Sequence, residues 1–537
     1  MTSGMKMRTF IKVAGFLLLV GTLFRSTSVL AEDARIDSDQ LDRLLNRLEA
    51  AEKRIQELEQ NKEQTPPPAP VSQSSPQTTP PPRLNNAAGV LDDSEQLLIN
   101  NFYDEAGDNA LEKRLSTLEE DWKKFADSEQ VKKAEDAAKP VTATIFGRIH
   151  LDGWNFSNST PGIASFNDPT DPTDPQNRYG FRRIRIGVKG KIKDNMLYKF
   201  EYDFADPADP AFKDVYIGWN DLPVFQTLLI GNQKRPLGMD HLNSSRYNWF
   251  MERPLVIEAF NQDARRLGIC AYGVSEDETW NWRYGIFNLE DISKDGHYIG
   301  DAGQYSINGR FAGTPWYDET SGGRGYLHLA ISDMWAKPDG NPSANATNKN
   351  EARFRTRPEA RTSSRWIDTG AIAGATWFNT LGFEAMLNVG SFGVVSEYQV
   401  THVGRGSSGS DLTFQGAYVE AGYFLTGEYQ PIDRKSGTIG RVKPLENFFL
   451  VRTCDDEIGG GWGAWQVVAR YSYLDLSNGN ITGGNETNFT FGMNWWWNSH
   501  SRVQFNYIHA QIDDRGPING YTGGRSDIFG ARFMVDF

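Results

Sequence analysis

The segment from Arg183 to Phe204 alternates polar and apolar residues with a period of two, and this pattern limits the fold more than any other feature of the chain. Its basic side chains share one face: Arg183, Arg185, Lys189, Lys191 and Lys193. After a turn at Asp194 and Asn195, the alternation resumes from Met196 to Phe204. The pattern predicts a β-hairpin with one apolar and one charged face, which suits either a soluble sheet on a core or a barrel in lipid with a polar lumen.

The N-terminus has the three parts of a secretory signal peptide. Basic residues up to Lys12 precede an apolar run from Val13 to Leu23, and the sequence Val29-Leu30-Ala31 offers small residues at the cleavage positions. We expect residues 1–31 to be removed on export. No later segment contains eighteen uninterrupted apolar residues, so a transmembrane helix is not expected, whereas a β-barrel remains allowed because only every second residue faces lipid.

Charge and cysteine content exclude several classes of function. The chain carries a net charge of -13, and residues 141–537 hold 38 Lys+Arg against 45 Asp+Glu, so the footprint of a nucleic-acid-binding protein is missing. Cys270 and Cys454 are either paired in a disulfide or separate thiols. The cysteines show no metal-ligand spacing, and residues 141–537 contain no catalytic motif, so we expect neither a metal, a cofactor nor an enzyme.

The region before the alternating segments divides into three parts. Residues 32–64 carry leucines and other apolar residues at intervals of three and four, which predicts a coiled-coil helix and oligomerisation. Residues 65–96 form a proline-rich linker. Residues 97–140 repeat the helical spacing and predict a second helical segment, either a rod or a plug that folds back on a barrel.

Alternation then continues from residue 141 to residue 537 and predicts sixteen strands, an even number as bacterial single-chain barrels require. The predicted strands start near residues 142, 178, 196, 212, 225, 265, 280, 303, 323, 379, 391, 413, 462, 485, 500 and 526. Short turns alternate with long connections, which is typical of a barrel with short periplasmic turns and long outer loops. The predicted fold class is therefore all-β, and residues 141–537 are predicted to form a 16-stranded antiparallel transmembrane β-barrel.

Aromatic residues support the same interpretation. The last strand places Phe529, Phe533 and Phe537 on one face and ends the chain on an aromatic residue, like the terminal strands of bacterial outer-membrane proteins. The run Trp495-Trp496-Trp497 either belongs to an aromatic girdle at the membrane interface or binds sugar.

Several segments together resemble the phosphate-selective porin O/P family of bacterial outer-membrane porins. They include GRIHLDGWNF, RYGFRRIRIGVKGKIKDNMLYKFEYDF, GAYVEAGYFLTGE and WGAWQVVARYSYLDL. The most specific is GMDHLNSSRYNWFMERPL, residues 238–255, which resembles the inward-folded constriction loop of that family. The resemblance implies a sixteen-stranded homotrimer with one pore per subunit, in which arginines and lysines guide phosphate past a narrow waist.

The candidate residues fall into two groups. The constriction loop offers two hydroxyl donors, two guanidinium groups suited to oxyanions, and an imidazole where the resembled loop carries a lysine: Ser244, Ser245, Arg246, Arg253 and His241. A lumen ladder of basic side chains extends along the strands: Arg148, Arg183, Arg185, Lys189, Lys191, Lys193, Arg283 and Arg310. Paired lumen charges of any porin would look similar, and Asp214 could be a plain strand-end carboxylate or a group that speeds anion release.

We therefore expect an outer-membrane porin for passive, anion-preferring diffusion, with phosphate or related oxyanions as solutes and the N-terminal segment in the periplasm. Two alternatives remain open. One is a general-diffusion porin for nutrients, sugars included. The other is a structural barrel anchored in lipid, whose coiled-coil stalk binds the cell wall or an envelope partner.

Overall fold

The computed structural model describes residues 141–537 apart from 172, 194, 209, 262–264, 293–298, 301–302, 342–349, 407 and 453–457. The predicted signal peptide, coiled coil, linker and second helical segment lie outside these residues, as do Asp194 and Cys454. Cys270 is a free, buried thiol.

Sixteen strands form a closed antiparallel barrel, which confirms the predicted fold. They are β1 (Thr144–Ser157), β2 (Arg178–Ile192), β3 (Met196–Asp203), β4 (Ala211–Leu222), β5 (Gln226–Lys234), β6 (Arg265–Val274), β7 (Trp280–Asn288), β8 (Tyr305–Tyr317), β9 (Gly325–Lys337), β12 (Trp377–Val389), β13 (Phe392–Gly404), β14 (Leu412–Phe424), β19 (Ala464–Asn478), β20 (Ile481–Asn498), β21 (Ser501–Arg515) and β22 (Gly524–Asp536). Every predicted strand start lies within four residues of the observed one.

Shorter elements occupy the connections between barrel strands. The helices are α1 (Pro161–Asn167), α2 (Met239–Leu242) and α3 (Leu255–Asn261). Three two-stranded pairs are β10 (Arg355–Thr356) with β11 (Ile367–Asp368), β15 (Ile432–Asp433) with β16 (Thr438–Ile439), and β17 (Phe449–Arg452) with β18 (Ile458–Gly461). Within the part of the chain that the structure describes, no helix is long and apolar enough to cross a membrane.

The period-two pattern explains which side chains face outward. On β20, Phe489 and Phe491 are about half exposed, whereas Asn488 and Thr490, which alternate with them, are fully buried inside the barrel. The last strand, β22, pairs with β1 and so closes the barrel. The predicted apolar face of β22 points outward, as the exposure of Phe529, Phe533 and Val535 shows.

The two ends of the barrel differ in the length of their connections. One end, the short-turn end, has connections such as 193–195 and 390–391, and the other has long ones such as 338–376. The connection 425–463 breaks the expected asymmetry because it is long but lies at the short-turn end, between β14 and β19. Barrel strands alternate in direction, so every connection that follows an even-numbered barrel strand lies at the short-turn end. This connection follows β14, which is the twelfth barrel strand in chain order.

Part of the barrel interior is an apolar core rather than an open polar lumen. Inward side chains of the later strands pack against side chains from the connections, and all of them are buried: Met334, Met386, Val395, Tyr418, Val468, Leu237, Trp249, Phe250, Leu255, Phe354 and Trp366. Removing these side chains from water is a favourable term that draws the connections inward. The polar lumen therefore does not extend through this part of the barrel.

Candidate ion pathway

The connection 235–264, which we call the crossing loop, leaves β5 and reaches strands on the far side of the barrel. The carbonyl of Trp249 accepts hydrogen bonds from Asn494 on β20 at 2.9 Å and from Gln504 on β21 at 3.1 Å. The backbone N–H groups of Met239 and Asp240 donate to the carboxylate of Glu397 on β13, and that of Leu255 donates to Ser472 on β19. These bonds hold the backbone of the loop against the inner wall.

Glycines on two strands make room for the crossing loop. A Cβ atom at Gly393 on β13 or at Gly422 on β14 would lie 3.1 Å from the ring of Trp249. That distance is tighter than ordinary van der Waals contact, so glycine at these inward positions permits the close approach of the tryptophan.

A second connection enters the barrel from the short-turn end. Residues 430–440, which include β15 and β16 and which we call the inner hairpin, pack inside β7, β8 and β9. Arg310 on β8 donates to the carbonyls of Ser436 at 3.2 Å and Gly437 at 2.8 Å, and Asn281 on β7 donates to the carbonyl of Arg434 at 3.0 Å. The guanidinium of Arg310 therefore anchors the inner hairpin to β8 through these hydrogen bonds.

The inner hairpin also meets the crossing loop. Trp249 donates from its indole nitrogen to the side-chain oxygen of Gln430 at 2.9 Å, and the N–H of Ile439 donates to the side-chain oxygen of Asn243 at 2.9 Å. The two connections therefore form one hydrogen-bonded unit inside the barrel.

The space left beside this unit is a cavity of about 970 Å³ along the walls of β1 to β7. Among its lining residues, fifteen are arginine or lysine and eight are aspartate or glutamate. The cations are Arg148, Arg178, Arg182, Arg183, Arg185, Lys199, Lys213, Lys234, Arg246, Arg253, Arg265, Arg283, Arg357, Arg361 and Arg365. The cavity is therefore cationic although the whole chain carries a net charge of -13.

Five charged side chains form a transverse ring across neighbouring strands: Arg148, Arg185, Glu201, Asp214 and Arg265. The carboxylate of Glu201 on β3 lies 2.6 Å from Arg148 on β1, 3.6 Å from Arg185 on β2 and 3.8 Å from Arg265 on β6. Asp214 on β4 pairs with Arg265 and with Lys199. Three guanidinium groups thus converge at one level, rather than following a single strand as the predicted ladder does.

Glu252 of the crossing loop occupies a second cluster of arginines. Arg182 donates to it from two nitrogens at 2.7 and 2.9 Å, Arg532 lies at 2.8 Å, and Arg183 lies at 4.0 Å. A shift in register between β1 and β2 follows His150, so two consecutive residues of β2 reach the same carboxylate. Strict alternation assigns Arg182 to the outer face, so the period-two pattern does not predict it as a lumen residue.

The predicted constriction residues all line the cavity, but several are committed to the loop itself. Arg148 donates to Ser245 at 2.9 Å and to Ser244 at 3.4 Å, so the two hydroxyls lie at the transverse ring. Arg253 donates to the carbonyls of Asp240 and Asn243 within the crossing loop.

The other two residues of the predicted constriction differ in their surroundings. Arg246 pairs with Asp536 of β22 at 2.8 Å. His241 is buried, with 1% of its surface exposed. Both therefore take part in packing or anchoring the crossing loop.

The predicted ladder is divided by the structure. Arg148, Arg183, Arg185 and Arg283 line the cavity, and Arg283 also donates to the carbonyl of Ser436. Arg310 is buried and pairs with Glu384 on β12, away from the cavity. Three further residues are exposed toward the short-turn end and lie outside the cavity lining: Lys189, Lys191 and Lys193.

The period-two pattern does not predict several other cavity cations, because their side chains depart from strict alternation or lie on connections. Arg265 is the first residue of β6 and belongs to the same face of the strand as the outward Leu267 and Ile269, yet its side chain turns inward where the crossing loop ends. Arg357, Arg361 and Arg365 lie on the connection 338–376.

Arg361 shows how concentrated the positive charge is at the long-loop end. The charge of Arg182, together with partial burial and the charge of Arg357, lowers the pKa of Arg361 to about 10. The guanidinium still carries its charge at neutral pH. An anion that approaches this end therefore meets a cation held close to other cations.

His241 does not titrate near neutrality, as an unperturbed imidazole would. Burial, reinforced by the charges of Lys234, Arg253, Arg235 and Arg265, holds its pKa well below the ordinary value of 6.5. The imidazole is neutral in the folded protein across the physiological range.

This shift predicts a pH-dependent contribution to stability. The unfolded chain binds a proton at His241 below pH 6.5 and the folded chain does not, so stability falls as the pH drops through that value. Replacing His241 with glutamine should therefore raise the midpoint of thermal unfolding, relative to wild type, more at pH 5 than at pH 8. His402, which is exposed on β13, provides the matched control. A difference between variant and wild type that does not change with pH would contradict the prediction.

A profile of the family described as "Phosphate-selective porin O and P" matches residues 162–537. The chain belongs to this family. It is an outer-membrane porin, and its family and barrel fold are those of a channel rather than an enzyme.

This porin is also similar to individual proteins. An uncharacterised protein of Caulobacter vibrioides is 29% identical over 403 residues, which cover 73% of each chain. Similar solved structures include an anion-selective porin from Comamonas acidovorans, with 14% identity, 74% of this chain and 100% of that chain covered, and a TM-score of 0.44. The outer membrane channel DcaP of Acinetobacter baumannii gives 10% identity, coverage of 74% and 97%, and a TM-score of 0.45.

Proposed function

We propose that this porin is a passive channel that prefers anions and that phosphate-like oxyanions are its preferred solutes. The observation that carries the proposal is the excess of fifteen cationic over eight acidic residues around the cavity of an otherwise acidic chain. A small anion that leaves bulk water needs charge and hydrogen-bond donors along its path, and this lining supplies both.

The arrangement of the cations suits transient binding. Carboxylates partly neutralise the transverse ring, because Glu201 and Asp214 contact its arginines. Conduction requires release as well as capture, so moderate sites serve transport better than one tight site. The hydroxyls of Ser244 and Ser245 beside Arg148 would add neutral donors for an oxyanion.

Two lining cations are the strongest candidates for direct contact with the solute. The side chains of Lys213 and Arg361 form neither an ion pair nor a hydrogen bond with any residue that the structure describes. Other lining cations donate hydrogen bonds: Arg178, Lys234 and Arg283. The charges of Lys213 and Arg361 are therefore available to a passing anion, whereas the charges of Arg182 and Arg265 are shared with carboxylates.

The paired charges favour a second candidate, a general-diffusion porin that also admits neutral nutrients such as sugars. If Glu201 and Asp214 cancel the positive charge of the arginines in the transverse ring, little electrostatic preference would remain.

We further propose that the porin is a homotrimer with its short-turn end and residues 32–140 in the periplasm, where the coiled coil either supports trimerisation or contacts an envelope partner.

Planar bilayer recordings of the purified full chain separate these functions. We expect a reversal potential in a potassium chloride gradient that indicates chloride preference, and block of the chloride current by phosphate. Replacing Lys213 with alanine should weaken that block about fivefold, which corresponds to about 1 kcal/mol for one nearby unit charge.

The control is Lys337→Ala, which removes an exposed strand lysine outside the cavity lining and should leave the block unchanged. Cation preference in the wild-type protein would reject the anion proposal. Equal passage of a neutral sugar and phosphate would favour general diffusion.

A further inference from the structure

The end of the connection 425–463 packs on the outer wall of the barrel, unlike the inner hairpin. The N–H of Phe448 donates to the carbonyl of Trp497 at 2.6 Å, and the rings of Phe448 and Trp495 are 4.5 Å apart. Trp495 and Trp497 point outward from β20, whereas Trp496 between them is buried inside.

We call the apolar residues at this position the rim cluster: Phe448, Phe449, Ile458, Trp462, Trp465, Trp495 and Trp497. Three of them are largely exposed, Trp462 at 76%, Ile458 at 65% and Phe449 at 64%. An exposed patch of this kind on a stable protein marks a surface that something apolar covers.

Most polar groups of the rim cluster are hydrogen-bonded within it; the exception is the indole nitrogen of Trp497, which is buried without a hydrogen-bond partner among the described residues. The carbonyl of Trp462 accepts the indole N–H groups of Trp465 at 3.1 Å and Trp495 at 2.9 Å. The strands β17 and β18 pair with each other through their backbones. Such a surface can enter an apolar medium without exposing many unpaired donors to it.

The rim cluster continues the apolar outer wall of the barrel. The ring of Trp497 lies 6.4 Å from that of Phe533, and Phe533, Phe537 and Val467 are exposed on the same wall. In an outer-membrane barrel this wall contacts lipid, and aromatic residues gather where lipid meets water.

We propose that the rim cluster lies in the lipid leaflet at the short-turn end and anchors the connection 425–463 to the membrane. Covering Trp462, Ile458 and Phe449 with lipid removes their apolar surface from water. The inner hairpin belongs to the same connection. The anchor therefore fixes one part of this connection at the outer wall, while the other part lies inside the barrel. This inference holds whatever ion the lumen prefers.

A fluorescent probe on the full chain tests the proposal. A single cysteine at Trp462→Cys, in a background without the two native cysteines, is labelled with an environment-sensitive dye, and the protein is reconstituted into phosphatidylcholine vesicles. We expect strong quenching by acyl chains brominated near the headgroup and weak quenching by aqueous iodide. Phe449→Cys serves as a second labelling site in case the first variant folds poorly.

Lys443→Cys is the matched control, because Lys443 is exposed in the same connection but lies outside the rim cluster. A dye there should be quenched by iodide rather than by brominated lipid. Iodide quenching at position 462 would show that the rim cluster faces water. Protection from both quenchers would show that protein covers it, for example a second copy of this chain. Either result would overturn the proposal.

Discussion

Replacing Arg265 with glutamate should abolish the anion preference that we propose for this porin. Arg265 pairs with Asp214 and lies 3.8 Å from Glu201, so the substitution gathers three carboxylates in the transverse ring. The change of two charge units comes at the point where β1, β2 and β6 contribute their arginines to one level. The reversal potential in a salt gradient should move to near zero or change sign.

The matched control is Arg525→Glu, which makes the same change of charge at an exposed residue of β22 outside the cavity lining. Arg265→Gln removes the positive charge without adding a negative one and should give an intermediate reversal potential. If Arg265→Glu forms a heat-stable barrel and keeps the wild-type reversal potential, the transverse ring does not control ion preference.

Removing the inner hairpin should raise the single-channel conductance. A sixteen-stranded barrel is wide enough for an aqueous channel, and here the hairpin fills the side along β7 to β9, so its replacement by a short glycine-serine linker should increase conductance about twofold. The transverse ring stays intact, because its residues come from β1 to β6. Anion preference should therefore persist while the conductance rises.

A point variant tests the same idea without a deletion. Gly437 has a φ of +59°, and a Cβ there would lie 3.0 Å from Arg310 and Asn281 and 3.1 Å from His328, so Gly437→Val should displace the hairpin. Ser436→Ala is the control: it removes only the hydrogen bonds of the hydroxyl to Asp433 and Thr438 within the hairpin and keeps the carbonyl that Arg283 and Arg310 bind. A well-folded Gly437→Val protein with unchanged conductance would mean that the hairpin does not limit the current.

The alternation of inward and outward residues along a strand, which we call parity, predicts some of the cavity cations and misplaces others. Parity correctly directs Arg148 and Arg185 inward, because both lie within regular strands. It misplaces Arg182, where a bulge adds one residue, and Arg265, where a loop joins a strand. Parity also gives no distance between strands, so it could not show that one carboxylate, Glu201, joins three arginines.

The inner hairpin was equally out of reach of sequence reasoning. Its residues are polar and turn-forming, and nothing in their order states that the backbone carbonyls of Ser436 and Gly437 will meet Arg310 inside the barrel. The same holds for Glu252, whose partner Arg532 is 280 residues away along the chain.

The sequence by itself determined the number of strands, their starts within four residues and the outward apolar face of β22. These properties follow from a period of two, which is local and is repeated in every strand. Only the tertiary structure decided which part of the interior is packed, which strands the crossing loop contacts, where the inner hairpin lies, and which cations converge. Those features depend on contacts between residues far apart in the chain, and no local period encodes such contacts.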